Sequence, residues 1–303
     1  ICINFFKNKE LKTIKPIGIL KPYKKMLMTI NCKGTLIDLC RPKVMGILNL
    51  TPNSFFDGGK HSDDKAILNQ VEKMLVEGAT FIDVGAYSSK PNADYVSEQE
   101  EMRRLIPVVK LLVSEFPEIL LSIDTFRSQV AEKAIEAGAA MINDISAGNL
   151  DEGMMETIAK LQVPYIMMHM RGTPKTMQSL TQYDDIMKAM MLYFAQKISQ
   201  ARSLGINDLI LDPGYGFSKT TEQNFEVLQK SEIFQHLNVP ILVGLSRKSM
   251  IYKTLETTAQ EALNGTTVLN TLALTKGIHI LRVHDVKEAM ESITLFKSFQ
   301  KVN

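Results

Sequence analysis

Four times along this chain a helix-patterned stretch runs into a glycine and then, within a few residues, into a short apolar run: at Gly78, Gly138, Gly205 and Gly277. Glycine suits the left-handed residue that closes a helix. A short, wholly apolar run suits a strand buried on both faces. Helix, glycine and strand in that order make parallel strands joined by right-handed crossovers. From residue 44 onward, apolar runs alternate with amphipathic stretches eight times. The runs fall at 44–48, 81–84, 119–123, 140–143, 164–168, 209–211, 240–244 and 279–283. Helix patterns lie between them, among others at 64–77, 98–115, 127–137, 184–204, 222–230, 259–275 and 286–299.

Eight units of roughly thirty residues each fit a single closed (β/α)8 barrel. No GxGxxG follows the first run, which argues against a doubly wound dinucleotide fold. Residues 28–303 are expected to form one barrel domain, with 28–42 as a short hairpin closing its bottom. Residues 1–27 are a separate matter. They hold seven lysines and one acid, Glu10, so they carry +6 of a net charge of +2 and leave −4 for the rest. With Met26 and Met28 as possible starts, this stretch is expected to be a poorly ordered or artefactual extension without a part in catalysis. A basic arm at a membrane surface is the other reading.

A mildly acidic body gives no electrostatic case for nucleic acid. The three cysteines, Cys2, Cys32 and Cys40, have neither the number nor the spacing of a disulfide framework or metal site, which points to a reducing cytoplasm. Nothing reads as a membrane span or a signal peptide.

The polar residues fall where a barrel keeps its chemistry, just after the strands. Asn49 opens a long first loop that includes Asn53 and Asp57; long ordered loops are usually functional, though a surface Ω-loop is also open. The second loop supplies Ser89, Lys90 and Pro91. Asp124 and Asn143 end the third and fourth strands; a carboxylate near the axis needs donors, from a ligand or from neighbouring hydroxyls. Met168 could pack on a flat ring, whereas Met170 reads as core. Asp212 leads a glycine-containing turn to Phe217, and an aspartate can accept two hydrogen bonds side by side. Gly244 leads to Ser246, Arg247, Lys248 and Ser249, where oriented N–H groups and two cations make an anion site. Arg282 and His284 share one side of the last strand. Carboxylates facing a lysine suit a flat heterocycle with an amino-pyrimidine edge and a carbonyl. Asn49, Arg282 and His284 suit an anion beside it.

Seven segments in order carry a resemblance: MGILNLTPNSFFDGG (45–59), SIDT (122–125), NDISA (143–147), MHMRGTPKTMQ (168–178), DPGYGF (212–217), GLSRKS (244–249) and RVHDV (282–286). Together they resemble the dihydropteroate synthase family. The resemblance implies a (β/α)8 barrel that joins 6-hydroxymethyl-7,8-dihydropterin pyrophosphate to p-aminobenzoate, with Mg2+, in folate biosynthesis. It implies that Asp124, Asn143, Met168, Asp212, Gly244 and Lys248 bind the pterin. Ser89, Pro91, Phe217 and Ser249 would frame p-aminobenzoate. Asn49, Arg282 and His284 would bind the diphosphate, with Asn49 also on the metal. Asp57, Lys90, Lys248, Arg282 and His284 would serve catalysis, and the active unit would be a homodimer. The family commonly has Asp at the position of Asn53 and Glu-Ser-Thr-Arg-Pro where this chain has Tyr87 to Pro91. Lys90 keeps the charge of arginine but loses its planar fork. A methyltransferase of the pterin-dependent kind and a non-catalytic pterin-binding protein are the rival readings.

Overall fold

The computed structural model describes residues 28–50, 60–87 and 96–301. Two short strands, β1 (Thr29–Cys32) and β2 (Thr35–Asp38), pair antiparallel as a hairpin. Eight parallel strands follow: β3 (Lys43–Asn49), β4 (Phe81–Gly85), β5 (Leu121–Asp124), β6 (Met141–Asp144), β7 (Tyr165–Met168), β8 (Leu209–Asp212), β9 (Leu242–Val243) and β10 (Ile280–Val283). Strands β3 to β8 each pair with the next in sequence, and β10 pairs with both β3 and β9. A single parallel bridge between Leu211 and Ile241 closes β8 onto β9. The result is the expected barrel.

Nine α-helices surround it. They are α1 (Lys60–Val76), α2 (Glu98–Glu115), α3 (Ser128–Glu136), α4 (Met154–Leu161), α5 (Ile186–Ser203), α6 (Thr221–Gln229), α7 (Ser249–Thr254), α8 (Leu263–Thr275) and α9 (Val286–Gln300), counted among the described residues. Gly78, Gly138, Gly205 and Gly277 all have positive φ, between 78° and 108°, as their placement after a helix requires. Among the described residues no helix is long and apolar enough to cross a membrane.

Strand periodicity divides the side chains in two. Val44, Leu48, Ile82, Val84, Leu121, Ile123, Leu209, Leu211, Leu281 and Val283 face outward into the main core against the helices. Met45, Phe81, Met141, Ile166, Ile210, Leu242 and Ile280 face inward at the lower end. Ile30, Cys32 and Leu39 of the hairpin segment pack on them. The hairpin therefore plugs the N-terminal mouth. The same inward register, continued toward the strand C-termini, carries polar groups, so the upper end of the barrel is an open polar bowl.

Candidate active site

Asp83 and Asp124 sit on adjacent strands, two residues apart along the inward register of β4 and β5. Between them lies Arg282 of β10. Its Nε donates to Asp83 Oδ2 at 2.6 Å, and its Nη2 donates to Asp124 Oδ2 at 2.8 Å. Asn143 Nδ2 also donates to Asp83 Oδ2, at 3.1 Å. Asp83 is fully buried, and its other oxygen, Oδ1, has no partner among the described residues. The sequence reading did not give Asp83 a role. A signal was present, since 81, 83 and 85 share the inward face of an otherwise apolar strand.

Two of the Arg282 nitrogens are occupied by carboxylates, while Nη1 has no partner among the described residues. The same holds for Asp124 Oδ1. Among the described residues the pair thus keeps one unpaired donor and one unpaired acceptor at the bowl. Burial pushes the Asp124 carboxyl up, with Arg282 opposing and Asp83 reinforcing the rise.

Asp212 ends β8, and its Oδ1 accepts the Gly214 N–H at 2.7 Å. Burial raises its pKa against that hydrogen bond and against Lys248 and Arg282. The Lys248 ammonium stands 4.5 Å from the centre of the Phe217 ring, a cation–π contact. Burial lowers Lys248 to about 8, with Asp212 pulling the other way. Gly244 follows β9 between these groups, and a Cβ there would meet no atom within 4 Å. Met168 and Phe217 are buried together with Ile145, Met170 and Met177 in an apolar patch on the rim. Met170 is core, as expected.

His284 is exposed at the rim. Its backbone N–H donates to Ser246 Oγ at 3.2 Å, and Ser246 Oγ lies 3.0 Å from His284 Nδ1. A serine oxygen that accepts from the backbone is free to give its own proton to Nδ1 in the tautomer that carries the imidazole proton on Nε2. Desolvation against the barrel, then the charge of Arg282, holds the ring below the usual imidazole range. A neutral His284 in that tautomer would offer an Nε2–H donor at the rim.

The turn after β9 corrects one expectation. Arg247 forms a bidentate pair with Asp285 at 2.9 Å on both nitrogens and donates to the carbonyls of Ala259 and Gln260. Its backbone N–H goes to Thr266 Oγ1, and that of Lys248 to the Leu245 carbonyl. Arg247 and these two N–H groups are thus already engaged, so of the two expected cations only Lys248 is left without a carboxylate partner. Asn49 is exposed at the end of β3, and Ser249 is half-buried at the start of α7. Asp57, Ser89, Lys90 and Pro91 lie outside the described residues. Among the described residues no group of three or more His, Cys, Asp or Glu side chains is placed to hold a metal ion.

The bowl thus gathers Asp124, Asn143, Met168, Asp212, Gly244, Lys248, Arg282 and His284 at one end of one barrel. Residues 45–284 match the family model described as pterin binding enzyme. The chain is 41% identical over 273 residues to the dihydropteroate synthase of Escherichia coli K12, covering 89% of this chain and 96% of that protein. It is 43% identical over 256 residues to the dihydropteroate synthase of Synechocystis, covering 84% and 88%. Among solved structures it is similar to the dihydropteroate synthase of Yersinia pestis in a sulfonamide drug complex, with a TM-score of 0.84, 40% identity and coverage of 90% and 100%. It is also similar to the Xanthomonas albilineans dihydropteroate synthase with 4-aminobenzoic acid, with a TM-score of 0.84, 36% identity and coverage of 90% and 98%. The chain belongs to the pterin-binding enzymes and, among them, to the dihydropteroate synthase family.

Proposed function

We propose that this protein condenses 6-hydroxymethyl-7,8-dihydropterin pyrophosphate with p-aminobenzoate, giving 7,8-dihydropteroate and pyrophosphate. The observation that carries this reading is the juxtaposition of Asp124, Asn143, Asp212 and Lys248 around an open space in front of Gly244, with Arg282 and His284 beside it. Acceptors on one side and an ammonium on the other match the amino-pyrimidine edge and carbonyl of a pterin. Asp124 and Asp212 would accept the pterin N–H groups, Asn143 would share that edge, and Lys248 would donate to the carbonyl side. Met168 would lie against the ring.

The diphosphate would fall to Arg282 Nη1 and to the Nε2–H of His284. The bond from the pterin methylene carbon to the diphosphate oxygen breaks with its electron pair going to oxygen. The electron-rich dihydropterin spreads the positive charge left behind. Donors already aimed at the departing oxygens lower the cost of that charge separation. The neutral aniline nitrogen of p-aminobenzoate then bonds to the methylene carbon and gives its extra proton to solvent, so no strong base is needed. Phe217 and Ser249 lie on the side of the bowl where the amine would enter. The donor set fits a metal that arrives with the substrate. Asn49 offers one hard amide oxygen, and Mg2+ keeps several waters and substrate phosphate oxygens around it. When bound, it would neutralise diphosphate charge.

The buried free thiol of Cys32 supports a reducing, cytoplasmic setting. Exposed Val268 and Leu272 on α8, with Leu295 and Phe299 on α9, support a homodimer through these helices. Equilibrium sedimentation at a single monomer mass would remove the dimer. The functional test is pyrophosphate release from the pterin substrate, dependent on Mg2+ and accelerated by p-aminobenzoate. Tight pterin binding with no product would reduce the protein to a pterin carrier.

A further inference from the structure

Lys219 holds a cation where the barrel has little reason to keep one. It follows the Asp212 turn and precedes Thr220, the N-cap of α6, and it is only 4% exposed. Its ammonium donates to the carbonyls of Gly214 at 2.9 Å and Phe217 at 3.0 Å, and lies 3.1 Å from His169 Nδ1. The His169 carbonyl is a fourth and more distant acceptor at 3.5 Å, so the three protons have their closest partners in these three groups. Among the described residues no carboxylate lies within ion-pair distance of it. A buried ammonium without a counterion is costly, and a residue that could be replaced by an apolar one at less cost calls for a reason.

What those three contacts hold is the floor of the pterin side. Gly214 gives its N–H to Asp212 Oδ1 and its carbonyl, on the next peptide, accepts from Lys219, so the two peptides that flank its Cα are tied to these two side chains. A Cβ on Gly214 would lie 2.3 Å from the His169 carbonyl oxygen, so the loops after β7 and β8 touch backbone to backbone at this point. The Phe217 carbonyl belongs to the residue whose ring meets Lys248. His169 itself is walled in by Tyr193 and Phe194 and does not reach the bowl. Burial lowers Lys219 to about 7, with Asp212 opposing, so its charge and that of Asp212 support each other.

We infer that Lys219 is a positioning residue for pterin recognition, acting through Asp212: its ammonium fixes the Gly214 and Phe217 carbonyls and thereby the orientation of the Asp212 carboxylate. This rests on the reading of Asp212 as a pterin contact. A double-mutant cycle tests it. Pterin-pyrophosphate binding is measured by calorimetry, without p-aminobenzoate, for the full chain and for Lys219→Met, Asp212→Asn and the two combined, each checked for folding by circular dichroism. Lys219→Met is expected to weaken pterin binding by about tenfold, the worth of a hydrogen bond to a charged group. In the Asp212→Asn background the same change is expected to cost less than about twofold, because the group it acts through is already altered. Equal losses in both backgrounds, or no loss in a folded Lys219→Met protein, would overturn the proposal. Should Lys219→Met not fold, Lys219→Gln, which retains two N–H donors, replaces it in the same cycle: a loss confined to the Asp212 background supports the proposal, and equal losses or none overturn it. If the unaltered chain does not bind the pterin, the functional reading fails first, and that result is distinct from either.

Discussion

Asp83 and Arg282 are 199 positions apart and hydrogen-bonded, Nε to Oδ2, at 2.6 Å inside the barrel. The arginine shares a second bond with Asp124, so one guanidinium organises two carboxylates. Asp83 has no exposed surface and does not reach a ligand. Its effect must pass through its two partners, Arg282 at 2.6 Å and, at the longer distance of 3.1 Å, Asn143.

That relationship gives a first prediction. Asp83→Asn keeps the shape and an acceptor but removes the charge that fixes the guanidinium. A charge-assisted hydrogen bond is worth about 1.5–3 kcal/mol, so pyrophosphate release should slow by about 10- to 100-fold. Pterin affinity should change far less, because Asp124 and Asp212 remain. Rapid-quench measurement of pyrophosphate formation separates the two. A rate within about twofold of the parent would mean that Arg282 is held without Asp83.

A second prediction concerns pH. Burial raises Asp124, so its proton is retained to higher pH than in an ordinary carboxylic acid. A protonated Asp124 accepts poorly, so pterin affinity should fall as pH drops through that raised value. Burial lowers Lys248 to about 8, so its charge is lost as pH rises through that value, and affinity should fall again. Binding should therefore peak between the two, with Asp212 and Arg282 as charged neighbours. Calorimetric titration across a pH series would show it. Lys248→Gln should flatten the alkaline limb alone and Asp124→Asn the acid limb alone; loss of both limbs in either variant would show coupling tighter than this assignment allows.

How much of this was readable in the chain depends on the range of the interactions. The strands and the four glycine caps are local patterns, and they appear where expected. Helix α4 (Met154–Leu161) carries no glycine signal, because its left-handed cap is Gln162, at φ 52°. The run at 240–244 pairs only over Leu242–Val243, because closure there rests on one bridge. Arg247 looked like a ligand cation because its partner, Asp285, lies 38 positions away. The inward polar residues were legible by strand parity. Which of them bond to each other was not, since contact between β4 and β10 depends on how the barrel closes.

A third prediction tests a structural pair beside the site. Glu101 of α2 is fully buried and hydrogen-bonded to Arg127, which also donates to the Val96 carbonyl at 2.7 Å. Glu101 Oε1 has no partner among the described residues, and burial raises its pKa. Arg127→Met should cost about 3–5 kcal/mol in urea unfolding, because it strands a buried acid. Adding Glu101→Gln should recover part of that loss. A single variant with an unchanged urea midpoint would show that the pair contributes little to the folded state.

The last prediction separates site from scaffold at Gly244. Most glycines in a barrel either need positive φ or have no room for a side chain, so replacing them damages the fold. Gly244 is different: a Cβ there has nothing within 4 Å, and its φ is not among the positive ones. It follows the inward register of β9, between Asp212 on one side and Arg282 on the other, so the space in front of it is the space assigned to the pterin. Gly244→Ala should therefore fold normally, with a thermal midpoint at or slightly above the parent because the unfolded chain loses freedom. Gly244→Leu should also fold, since its side chain would enter the bowl instead of the packed core. Pterin binding should fall modestly for alanine and by more than about tenfold for leucine, as side-chain volume replaces ligand volume. Comparable pterin affinity in the leucine variant would place the heterocycle elsewhere in the bowl, and the roles assigned to Asp124, Asp212 and Lys248 would have to move with it.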